Sequence, residues 1–103
     1  MIVYNMTIKV RWDIHEGWQR WFRSEYLPAT MATKCFDSYK LFQLLDEDEE
    51  EGPTFILQLF TDSEQRFEEY MIRHAEQLQQ AAQQRWGTGY IAFRTLMELL
   101  EEG

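Results

Sequence analysis

Five polar residues carry the chemistry this chain is best equipped to do. Asn5, Lys9, Arg11, Gln58 and Arg94 combine cations with neutral amides, a mixture that pairs with a carboxylate or enolate and orients it by hydrogen bonds. In a cofactor-independent monooxygenase or isomerase, Arg11 or Arg94 would stabilise a developing oxyanion while Asn5 orients it. The same set serves equally as a polar network between two subunits, with no ligand. Both readings require folding to bring the five residues to one surface.

Two secondary candidates stand apart from that set. Glu25 lies eleven residues after Ile14, about 20° from it on an ideal helical wheel. That position falls inside an apolar stripe, where a desolvated carboxyl suits general acid–base work, unless the chain has already left the core before Pro28. His15 falls in the first turn of the same helix, exposed or part of its cap. His74 sits between Met71 and Leu78 on a second apolar stripe, the usual setting of a hydrogen-bonded core histidine.

Other chemistries find little support. Two histidines and one cysteine occur without the HExxH or CxxC spacing of a metal site. The acidic run at 46–51 lacks the alternating ligands and central glycine of a calcium loop. Gly87-Thr88-Gly89 lacks the third glycine of a dinucleotide fingerprint and precedes a strand. There is no G-x-S-x-G motif, and Cys35 has only Lys34 beside it to activate a thiol. No metal or cofactor is expected, and whether the chain is an enzyme stays open.

The elements that position these groups follow from composition and periodicity. The 103 residues suit one domain spanning 1–103, and 45% hydrophobic with 27% charged residues argues against disorder. The net charge is −8, but outside the six consecutive acids at 46–51 there are twelve acids against ten bases. With no basic stripe, nucleic-acid binding is not expected. No run approaches the ~20 apolar residues of a membrane span, and no basic–apolar leader opens the chain. A lone cysteine suits a reducing compartment, so the expected location is the cytoplasm.

Ile2, Tyr4, Met6, Ile8, Val10 and Trp12 alternate with mostly polar residues, the pattern of a strand with one buried face. Asp13 with Glu16 resembles a capping box and opens a helix carrying Ile14, Trp18, Trp21 and Phe22. Pro28 should stop or kink it at Leu27, with a short extension through Thr33. Residues 36–45 read as a strand, the acids with Gly52-Pro53 as a solvated loop, and Thr54–Thr61 as a third strand. Asp62 or Ser63 caps a second helix ending near Trp86. A last strand over 90–99 is expected to turn Ile91, Phe93, Met97 and Leu99 inward.

The order is βαββαβ, which predicts an α+β, ferredoxin-like fold: a four-stranded antiparallel sheet with two helices on one face. The opposite face would show Val3, Asn5, Thr7, Lys9, Arg11, Ile56, Gln58 and Phe60, joined by Tyr90, Ala92, Arg94 and Leu96. That mixture is too apolar for a solvated face and too charged for a core. It fits a homodimer whose sheets pack together around a partly polar cavity.

The opening M-I-V-Y-N-M-T-I-K-V, the stretches D-I-H-E-G-W-Q-R-W and P-A-T-M-A-T-K-C-F, and the ending Y-I-A-F-R-T-L-M resemble a bacterial family, domain of unknown function 4286. The resemblance spans nearly the whole chain and implies a dimeric α+β barrel of ferredoxin-like type, with no established activity. Its recurring positions are Tyr4, Asn5, His15, Trp18, Trp21, Met31-Ala32-Thr33 and Phe93-Arg94-Thr95. The chain departs from the pattern at Tyr26, where the family often has a histidine, and at Lys34, where it often has a glycine. A site built on that histidine would be missing here. Three functions remain open: a dimeric domain holding a small polar or aromatic molecule between its sheets, a cofactor-independent monooxygenase or isomerase, and a structural or protein-interaction module.

Overall fold

In the computed structural model, which describes residues 1–45 and 50–103, nine segments follow one another. They are β1 (Ile2–Val10), α1 (His15–Trp21), one π-helical turn (Phe22–Tyr26), α2 (Leu27–Ala32), β2 (Ser38–Gln43), β3 (Thr54–Thr61), α3 (Glu64–Arg73), α4 (Ala75–Trp86) and β4 (Tyr90–Glu98). The strands form one antiparallel sheet in the order β2-β3-β1-β4. This is the expected ferredoxin-like fold. The core lies between the sheet and two helical runs, α1 to α2 and α3 to α4.

β1 supplies the floor of that core through its period of two. Tyr4, Met6, Ile8 and Val10 are buried against Trp18, Phe22, Tyr26, Tyr70 and Ala75. Trp18 stacks on Phe22 at 4.6 Å and on Phe55 at 5.3 Å, and Phe22 stacks on Tyr26 at 4.8 Å. Each such ring contributes about 2–3 kcal/mol by burial, so the aromatic column is a main source of stability.

The first helical run starts differently from the capping box read in the sequence. Asp13 caps nothing; it receives an ion pair from Arg11 at 2.6 Å. Ile14 is the N-cap, without a side-chain bond. The run then passes through a π turn, where Leu27 N–H reaches Phe22 O. An i→i+5 turn advances less per residue than an α-helix, so every later side chain is rotated from its ideal-wheel place. Tyr26 takes the buried position, and Glu25 is exposed. Pro28 stands in the first turn of α2, directly after the turn that absorbs the missing N–H. The run closes with Lys34 at φ 63°, a left-handed position that favours glycine.

Ser63 caps α3, its Oγ accepting from Arg66 N–H at 3.1 Å. The single second helix of the sequence reading is two helices broken at His74 (φ −125°, ψ −35°). His74 is half-buried with its ring 6.3 Å from that of Tyr70. Of the expected acidic loop, 46–49 lie outside the described residues. Glu50 and Glu51 are exposed, but Gly52 and Pro53 are buried, contrary to a solvated loop. Pro53 O accepts from Val10 N–H at 3.0 Å, and a Cβ on Gly52 (φ 151°) would overlap the Val10 carbonyl oxygen.

The facing of β4 is the main correction. Val10 pairs with Tyr90, Ile8 with Ala92 and Met6 with Arg94, so these β4 side chains share the helix-covered face. Ile91, Phe93 and Met97, expected inward, turn to the open face with Lys9, Thr7 and Val3. Arg11 N–H donating to Gly89 O at 2.9 Å anchors this register. Because both parities of β4 carry apolar residues, alternation alone could not choose between them, and a one-residue slip exchanges the faces.

Candidate functional site

The register separates the five candidate residues. Asn5, Lys9, Arg11 and Gln58 stay on the open face, whereas Arg94 lies on the helix side of the sheet. The four do not converge on one point. Gln58 Nε2 reaches Asn5 Oδ1 at 3.5 Å and Asn5 Nδ2 reaches Thr7 Oγ1 at 3.4 Å, long bonds that tie the amides into the sheet. Lys9 and Arg11 border a groove of about 410 Å³ with Glu51, Thr88 and Ile91. Asp13 holds Arg11 in an ion pair at 2.6 Å, and Glu51 lines the same groove.

Neither secondary candidate joins a site. His15 is half-buried, its Nδ1 2.8 Å from Trp12 O and its ring packed edge-on to Trp12 at 5.1 Å. Glu25 is exposed on the outside of the π turn. Among the described residues, no three His, Cys, Asp or Glu side chains are grouped to hold a metal ion.

A second cleft lies around Arg94. Alternate β4 residues Tyr90, Ala92 and Arg94 floor a cleft whose wall is α4, through Glu76, Gln79, Gln80 and Gln83. Those four positions fall on one helical face because side chains three and four apart align. The cleft measures about 440 Å³, in the range of small-molecule sites. Gln79, Ala92 and Arg94 also rim an apolar basin that reaches inward to Trp21, Tyr26 and Met6, with about 20 Å³ of free space. Polar groups therefore surround the mouth and aromatic rings the bottom.

Electrostatics single out the same place. Among the described residues the exposed Arg94 side chain makes no hydrogen bond or ion pair. Burial pushes the Tyr26 hydroxyl up to about 12, an effect the Arg94 charge partly offsets. Burial also raises Tyr4, Tyr70 and Tyr90, and Arg94 again acts in the opposite direction on each. Burial is the larger effect on all four phenols, and the Arg94 charge only partly opposes it. The sequence reading missed Tyr26, Tyr90 and the glutamines; five glutamines within Ala75–Trp86 are the signal that was available.

The fold defines a class: ferredoxin-like α+β proteins, built like an antibiotic biosynthesis monooxygenase and an EthD family protein of known structure. Within it, the chain belongs to the family described as Domain of unknown function (DUF4286), whose model matches residues 1–100. Among solved structures it resembles an EthD family protein from Bacillus halodurans C-125, with a TM-score of 0.72 and 10% identity over 97% of this chain and 100% of that one. HapK from Hahella chejuensis gives 0.70 and 8%, over 100% and 96% of the two chains. A point mutant of SnoaB from Streptomyces nogalater, a cofactor-independent oxygenase, gives 0.67 and 14%, over 98% and 94%. At these identities the likeness is one of fold. No curated protein matches the chain.

Proposed function

We propose that the protein binds a small planar anion in the cleft between β4 and α4, with Arg94 as its charge anchor. The observation that carries this reading is an arginine at the mouth of an aromatic basin whose side chain makes no hydrogen bond or ion pair among the described residues. Guanidinium pairs a carboxylate or enolate in two-point fashion, and Tyr90 and Ala92 on the cleft floor supply apolar contact for a ring. The ligand thus lies under the helices of one subunit rather than between two sheets, the place read from the sequence.

Residues 1–103 act as one domain in this reading, and the open sheet face packs on a second copy. Ile91, Phe93, Met97 and Phe42 are 55%, 66%, 38% and 46% exposed there, with Val3, Ile56 and Phe60 between them. An apolar sheet face of this extent marks an interface, and a two-fold pairing covers it with its own copy. Among the described residues no helix is long and apolar enough to cross a membrane.

Binding of 2-naphthoate, followed by its fluorescence, tests the cleft. Wild type is expected to bind it and Arg94→Gln to lose about tenfold or more in affinity. Equal affinity in both would remove Arg94 from the site. A second reading, cofactor-independent oxygenation of an enolic substrate, is favoured by Arg94 standing beside neutral Tyr26 and Tyr90, which suits a developing oxyanion. Oxygen uptake with an enolic hydroxynaphthoate, abolished by Arg94→Gln, would support it; no uptake above the protein-free rate would leave binding alone.

A further inference from the structure

We infer that Tyr26 is the second anchor of this site: its hydroxyl donates to one oxygen that the ligand carries next to the group held by Arg94. The inference rests on the cleft reading and makes it more specific, because it names an ortho-oxygenated aryl or enolic carboxylate as the ligand class.

The argument starts from the hydrogen bond Tyr26 makes now. Its hydroxyl is buried, and its acceptor is Met6 Sδ at 3.8 Å. A thioether is a weak acceptor, and a buried hydroxyl on such a partner remains poorly satisfied. An oxygen arriving in the basin would take that proton without displacing a strong bond.

The phenol is also held neutral where it stands. Tyr70, buried in the core, and Tyr26 are near enough to perturb each other's ionisation, and burial raises both hydroxyls. A neutral Tyr26 keeps its proton available to an arriving acceptor.

Space sets the size of the group. The basin's free volume of about 20 Å³ accepts about one water-sized group. A hydroxyl or keto oxygen fits, whereas a carboxylate does not. The carboxylate must stay at the mouth, where Arg94 and the glutamines of α4 can solvate it. The aryl portion stays in the outer cleft over Tyr90 and Ala92, because Phe22 is buried and stacked with both Trp18 and Tyr26.

Two probes that differ by one oxygen test this: 2-naphthoate and 3-hydroxy-2-naphthoate, each titrated by fluorescence against the intact protein. Wild type is expected to bind the hydroxy compound about tenfold more tightly. Tyr26→Phe should abolish that preference, so that the two probes bind within about twofold of each other, while Arg94→Gln weakens both. Met6→Leu, a volume-conserving swap, removes the competing acceptor and should keep or raise the affinity for the hydroxy compound. If Tyr26→Phe lowers both affinities equally, or neither, Tyr26 is no anchor although the cleft stands. A loss of hydroxy preference in Met6→Leu would also overturn the inference, even were Tyr26→Phe to fail to fold. If wild type binds neither probe, the cleft reading falls and this inference with it.

Discussion

Replacing Tyr26 by phenylalanine should make the protein less sensitive to alkali, by an amount the structure sets. The folded protein holds the Tyr26 hydroxyl at about 12, against an ordinary value of 10.0. Above pH 10 the unfolded chain therefore ionises first, and stability contributed by the neutral phenol is lost as pH rises from 10 through 12. The loss is about 1.4 kcal/mol by pH 11 and approaches about 2.7 kcal/mol beyond pH 12. At pH 8 the substitution should cost about 1 kcal/mol or less, because the bond given up by the Tyr26 hydroxyl is to the weak acceptor Met6 Sδ. Between pH 8 and 11, however, Tyr26→Phe should lose about 1.4 kcal/mol less than wild type. Urea denaturation followed by far-ultraviolet circular dichroism at both pH values measures the difference. Parallel losses in the two proteins would refute the argument, since Tyr26 would then titrate alike in the folded and unfolded states.

Three further substitutions probe the sheet face and the backbone. Phe93→Asp places a charge at the middle of the open face and should convert a dimer to a folded monomer in sedimentation velocity; an unchanged dimer would place the interface elsewhere. Lys34→Gly should raise stability by about 0.5–1 kcal/mol in thermal denaturation, because Lys34 is held at φ 63° where an L side chain is strained. Gly52→Ala should destabilise by about 3 kcal/mol or prevent folding, as both φ and the Val10 carbonyl oppose a Cβ; wild-type stability would show that the connection relaxes freely.

The candidate site was only half legible in the sequence. Arg94 stood out by its charge among apolar residues, but its companions were assigned by assuming that β4 turns its more hydrophobic parity inward. That assumption holds for a strand with one apolar face. Here Ile91, Phe93 and Met97 belong to the face left open by the helices, and the less greasy Tyr90, Ala92 and Arg94 border the cleft. Glu25 failed for a related reason: an ideal wheel carries no information about a π turn at Phe22–Tyr26. The acids at 13 and 16 matched a capping motif locally, yet Asp13 found Arg11 instead.

Local patterns in the sequence determined the βαββαβ order, the buried face of β1 and the span of β3, and narrowed the cap of the second helical run to Asp62 or Ser63. Each depends on neighbours within one or two turns of chain, where periodicity and hydrogen-bond geometry leave few choices. Which parity of β4 meets the helices depended on hydrogen bonds between residues about eighty positions apart, such as that from Arg11 to Gly89. The meeting of Arg94, Tyr26 and Gln79 in one cleft followed from that register and from the rotation introduced by the π turn. Side-chain pattern is a one-dimensional signal, so it constrains elements well and leaves open the pairing that turns four strands and two helical runs into a site.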